Sequence, residues 1–187
     1  ITALQAGDLH TALRLLAASS DQFVSRTAGV LANATPDTKV VIQRNLVDEN
    51  GRPVPGYFDP QTNTIYLDSV NGMNSHVLLH ESGHSAMSHE LDNPNSVLAR
   101  QLQQILDKVR DSLGTAYGAT DVHEFAAEAW ANKEFRGKLQ SIYPDGSNIS
   151  AWDKFSRAVV NFFRRLVGKE ARPLTSAYDE VDRILNA

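Results

Sequence analysis

HVLLHESGHSAMSHE, residues 76–90, holds four of the six histidines in a chain of 187 residues. His76, His80 and His84 follow one another at four-residue steps. On an α-helix such residues stack on one face, about 6 Å apart along the axis. Within the stretch, His80-Glu81-Ser82-Gly83-His84 reads H-E-x-x-H. Two imidazoles at i and i+4 can converge on one zinc ion. A glutamate about 100° round the helix from the first of them faces a water there without ligating. Zinc lowers the pKa of that water toward ~7, and the carboxylate can take its proton. Val77, Leu78 and Leu79 precede the motif, so the helix is expected to be partly buried. Average composition gives on the order of 0.01 chance matches in a chain of this size, so a helix that merely happens to carry histidines is the weaker reading.

The other histidines read differently. His76 lies one turn before His80 and about 12 Å from His84 along the axis, too far to share a tetrahedral ion with both. It reads as a surface or supporting histidine. His89 does not complete the longer H-E-x-x-H-x-x-G-x-x-H pattern, because Met87 stands at the glycine position and Glu90 at the last histidine. It reads as a solvated side chain near a helix end, where the dipole favours its cation. His10 belongs to no pattern. There is no cysteine. Thiolate sites and disulfides are therefore excluded, and a metal must rest on His, Asp and Glu.

A catalytic zinc needs a third protein ligand. DVHEFAAEAW (121–130) offers Glu124 and Glu128, one turn apart on a shared face, with Ala126, Ala127 and Ala129 allowing close packing. Asp121-x-x-Glu124 is also a capping-box spacing. In that case Glu124 serves its own helix and Glu128 becomes the ligand candidate. By residue type alone, Tyr117 is an ordinary core or surface tyrosine.

YGATDVHEFAAEAW (117–130), following H-E-x-x-H, resembles the gluzincin pattern of anthrax-lethal-factor-type metallopeptidases. GYFDPQTNTIYLDS ahead of the motif and the WDKF, VG and LTSAYDEV segments behind it resemble zincin domains of large phage and mobile-element proteins. The firm part of the likeness spans roughly residues 55–135. It implies zinc held by His80, His84 and Glu124, with Glu81 as general base. It implies Tyr117 as support for the transition-state oxyanion and Glu128 behind the ligands. His123 departs from the acidic or polar residue the pattern has beside its ligand, and is a candidate to line the cleft. The resemblance also places the strand NTIYLDS at the rim of the cleft, with substrate adding to its edge.

Around these motifs the chain reads as a mostly helical α+β zincin-like fold with a small antiparallel sheet and C-terminal helices. Its expected parts are an N-terminal helical segment (1–35), a catalytic core (36–143) and a C-terminal helical pair packed on the core (150–187). DLHTALRLLAAS (8–19) is amphipathic behind an Asp8 cap. TKVVIQRNLV (38–47) reads as a strand, and 57–69 as a hairpin returning over Thr64–Leu67. A helix from Asn74 or Ser75 runs to about His89. Pro94 and Ser96 open a second, which shows Leu98, Leu102, Ile105, Val109 and Leu113 on one face and stops at Gly114. Asp121 caps a third, over 122–135. Ser150 and Asp153 form a capping box for 151–168, and a last helix covers about 175–186.

Net charge is −4 with pI about 5.8. A nucleic-acid partner calls for a basic excess, so none is expected. No apolar run is long enough to span a bilayer. The Phe162-Phe163-Arg164-Arg165 stretch reads as core aromatics with dipole-favoured cations at a helix end, so no membrane contact is expected either. The start at Ile1 reads as a processed product or an excised domain of something longer. The function expected is a zinc endopeptidase acting on a polypeptide, its own parent chain or a host protein. Two other readings are a zincin-fold binding or structural module within a larger polyprotein, and a metal-free helical interaction domain.

Overall fold

In the computed structural model, residues 2–35 and 37–166 are described. The chain folds into two units. The first runs to His89 and includes Trp130–Asn132, and the second holds Glu90–Ala129 and the described chain from Lys133 on.

The first unit opens with a short helix, α1 (Thr2–Gln5), and then α2 (Leu9–Leu16). Asp8 caps α2 by accepting the Thr11 N–H at 2.9 Å, and Leu9, Ala12 and Leu13 face inward. A third helix, α3 (Gln22–Ala34), follows an Asp21 cap and buries Thr27, Ala28, Leu31 and Ala32. The sheet comprises β1 (Lys39–Gln43), β2 (Gly56–Asp59) and β3 (Thr64–Asp68) in the order β1-β3-β2. The expected hairpin forms: β2 pairs antiparallel with β3, and Asp59 accepts the Gln61 N–H and the Thr62 hydroxyl in the turn. The sheet is mixed, not antiparallel throughout, because β1 lies parallel to β3. Strand β1 also stops early, at Gln43, where Asn45 turns the chain with φ +57°. The loop from there to β2 returns the chain on the far side of β3. Strand β3 is therefore the central strand, with both edges paired, and cannot take a substrate along its edge as expected. Ile65 and Leu67 on β3 are fully buried with Leu13, Leu31 and Leu79 in one core. Each such side chain contributes about 1.5–3 kcal/mol.

Asp68 ends β3 and organises the chain that leads to the histidine helix. One carboxylate oxygen accepts the Val70 and Asn71 N–H groups and the other accepts the Leu46 N–H. These bonds, with Asn71 foremost, hold the carboxyl below the usual carboxylate range. Helix α4 (Ser75–Leu91) then starts under an Asn74 cap, whose side-chain oxygen accepts the Val77 N–H at 3.0 Å.

The second unit contains α5 (Val97–Leu113), α6 (Val122–Ala131, whose last two residues belong to the first unit), α7 (Lys133–Ser141) and α8 (Ala151–Leu166). Ser96 caps α5 and Gly114, at φ +59°, ends it, as its flanking residues predict. The expected helix over 122–135 is two helices, broken at Asn132. Of the expected Ser150–Asp153 capping box the N-cap half forms: the Ser150 hydroxyl accepts the Asp153 N–H and itself donates to the Asp153 carboxylate. Phe125 of α6 meets Phe135 and Phe155 edge-on, at 6.0 and 5.8 Å between ring centres. Trp152, Phe155 and Val159 of α8 are buried, so this stretch of its aromatic stripe is core. The helix expected at 175–186 lies outside the described residues. No described helix is long and apolar enough to cross a membrane.

Candidate metal centre

The four-residue step in α4 does what helical geometry requires. The Nε2 atoms of His80 and His84 lie 3.1 Å apart, with their rings edge to face at 4.8 Å between centres. His80 is buried and His84 half-buried. Two ligand nitrogens on a tetrahedral zinc stand about 3.3 Å apart when the Zn–N bonds are ~2.05 Å. Without an ion, the same approach requires one imidazole to donate its Nε2–H to the other.

Glu124 joins this pair. It lies in the first turn of α6, and its carboxylate completes a group in which one ligand atom from each of His80, His84 and Glu124 lies within 4.8 Å of the other two. Two imidazole nitrogens and one carboxylate oxygen make a donor set that suits a divalent metal ion. The residues fit an ion. Asp121 supplies the N-cap by accepting the His123 and Glu124 N–H groups, both at 2.9 Å.

Glu81 is buried on the motif helix and meets β2. A Cβ added to Gly56 would stand 2.8 Å from Val77 Cγ1 and 3.2 Å from Glu81 Cγ. The glycine therefore lets the strand run against the face that carries the glutamate. Glu128, one turn beyond Glu124, is buried and stands outside the three-residue group. Tyr117 is 60% exposed and opens the 3₁₀ turn Tyr117–Ala119. Its neighbour Gly118 packs so closely that a Cβ would stand 2.6 Å from Phe135 Cζ and 3.0 Å from Glu128 Cβ. His123 pairs with Asp92 at 3.2 Å.

Two contacts escaped the sequence reading. His76 Nδ1 lies 3.2 Å from the Ala131 carbonyl oxygen, and Gly56 meets Glu81. The second has a faint signal, a glycine after Pro55 opening a strand. The first joins residues 55 apart in sequence and has none.

No protein-family model, curated protein or solved structure matches this chain. The case for function rests on the residues themselves.

Proposed function

We propose that the chain is a zinc-dependent endopeptidase of the gluzincin type. The observation that carries this is the convergence of His80, His84 and Glu124, ligand atoms from two helices, with a buried glutamate next to His80 in the motif. Cysteine is absent, and the His-His-Glu set suits zinc. When bound there, zinc supplies a Lewis acid for a peptide carbonyl and lowers the pKa of a water toward ~7. Glu81 takes the proton from the attacking water and passes it to the leaving amine nitrogen. Tyr117 donates a hydrogen bond to the carbonyl oxygen as it gains charge. Glu128 supports the ligand helix from one turn further on.

The substrate is an extended polypeptide. Strand β3 is paired on both sides, which leaves β2 as the edge strand nearest Glu81. Main-chain hydrogen bonds to that edge read no side chains, so they set the class of substrate and not its sequence.

The test has two parts. Metal-stripped protein re-equilibrated with zinc is expected to hold about one tight ion per chain. Glu81→Gln should keep that ion and lose hydrolysis of a mixed peptide library by about 10²–10⁴-fold. No zinc in the parent chain overturns the metal centre. Zinc with unchanged hydrolysis in Glu81→Gln overturns the base. Zinc with no hydrolysis in the parent favours the module that keeps the fold and does no chemistry, a reading that leaves the glutamate without a use.

A further inference from the structure

We infer that His76 is a positioning residue for the metal centre: it caps the C-terminal end of α6, the helix that carries Glu124, and so fixes that ligand along its helix axis. The inference rests on the metal centre proposed above.

A helix leaves its last four carbonyls without partners inside the helix. At the end of α6 two of them are taken by side chains from elsewhere in the first unit. The Ala131 oxygen accepts from His76 Nδ1 at 3.2 Å, and the Trp130 oxygen accepts from the buried Thr27 hydroxyl at 3.5 Å. A carbonyl only accepts, so the His76 proton resides on Nδ1. Ala131 is 5% exposed and packs in the same core as Val77, Leu78 and Leu79 of α4. Water therefore has little access to this helix end, and the side-chain donors take its place.

The placement matters because α6 is one unbroken helix from Val122 to Ala131. Glu124 stands seven residues, about 10 Å, before Ala131. His76 stands one turn, about 6 Å, before His80 on α4. The bond thus joins the helix of the two histidine ligands to the helix of the carboxylate ligand, away from the ion. A slip of α6 by one residue moves its side chains by about 1.5 Å along the axis and turns them by about 100°. That would carry Glu124 out of reach. His76 itself stays outside the ligand group, consistent with its distance from His84 along the helix. Histidine is suited to the task because its Nδ1 lies close to the backbone. The side-chain amide of asparagine places an N–H at nearly the same point, whereas alanine offers none.

The experiment is zinc affinity by competition with a chromogenic chelator, on the full chain, beside thermal melting with and without zinc. His76→Ala should bind zinc about tenfold more weakly, the size typical of losing a partner just outside the ligands. His76→Asn should recover to within about threefold of the parent. Thr27→Val, which removes the longer bond, should weaken binding by about two- to threefold, and it keeps the test alive if His76→Ala folds poorly. The rise in melting temperature on adding zinc should shrink in His76→Ala and return in His76→Asn. A merely structural histidine would lower both melting temperatures equally and leave zinc affinity alone. That result overturns the inference, as does an affinity loss that asparagine fails to recover. Absence of zinc from the parent is a different failure: it removes the centre itself.

Discussion

Helices α4 and α6 contribute to one candidate centre in opposite ways. Helix α4 uses both members of its i, i+4 pair, His80 and His84, which helical geometry stacks on one face and their rotamers bring together. Helix α6 carries an i, i+4 pair of its own, Glu124 and Glu128, and only Glu124 joins the group. Spacing on one helix can bring two ligands together, but it cannot say which of two stacked carboxylates another helix will meet. That choice is tertiary. It depends on where α6 sits along its axis, and hence on anchors such as the His76–Ala131 bond.

The largest expected effect divides the α6 pair. Glu124→Ala should abolish tight zinc binding, as His84→Ala should on the other helix, because in the proposed centre each removes one of three ligands. Glu128→Ala should weaken it by only about tenfold, as expected of a residue behind a ligand. Chelator competition on the three variants checks this. Equal losses in Glu124→Ala and Glu128→Ala would break the asymmetry and return the ligand choice to the carboxylate pair as a whole.

A smaller effect comes from Gly56 and Gly118, which let other chain segments pack against Glu81 and Glu128. Gly118→Ala drives a methyl to 2.6 Å from the end of a buried phenylalanine ring, and Gly56→Ala drives one to 2.8 Å from a stiff valine methyl. Each should cost about 1–3 kcal/mol in urea unfolding, Gly118→Ala the more, because Phe135 is enclosed. The two should also separate by function. Gly56→Ala crowds Glu81 Cγ and should lower hydrolysis with zinc retained. Gly118→Ala shifts the turn that carries Tyr117.

How much of this was legible beforehand follows the same division. The ends of α5 at Ser96 and Gly114, the Asp8 cap and the Ser150 cap are local devices, and each is readable from a few adjacent residues. The pairing of His80 with His84 is local too. Helix α3 was hidden inside a segment known only as helical. Val24, Thr27, Gly29 and Val30 are weak helix formers, and what stabilises the helix is burial of Ala28, Leu31 and Ala32 in the core. The parallel pairing of β1 with β3 joins residues about 25 apart across a loop and a hairpin, and periodicity within β1 carries no trace of it. The break at Asn132 leaves no mark in the sequence, because the apolar pattern runs on through Phe135. Glu124 was singled out by resemblance, since spacing left Glu128 level with it.

The smallest effect concerns how the chain enters the two helices. Helix α6 is entered directly through Asp121, whereas the chain reaches Asn74 and α4 from the Asp68 carboxylate, which gathers three backbone N–H groups. Asp68 is held below the ordinary carboxylate range, first by the Asn71 N–H and then by those of Leu46 and Val70. Between the folded value and the unfolded one, near 3.9, the unfolded chain binds more protons, so stability rises with pH there. The contribution is complete above about pH 5 and is lost as the pH falls through the folded value. Asp68→Asn should therefore lower the urea midpoint of the metal-free protein at pH 7, and the gap from the parent should close progressively below about pH 4. Other carboxylates with lowered pKa, Asp48 and Asp59 among them, titrate in both proteins and cancel in the difference. A gap that stays constant down to pH 3 would mean that the asparagine disturbs packing and not charge. The loop leading to α4 would then owe its order to the tight approach of Gly72 to Pro55, which no pH change can loosen.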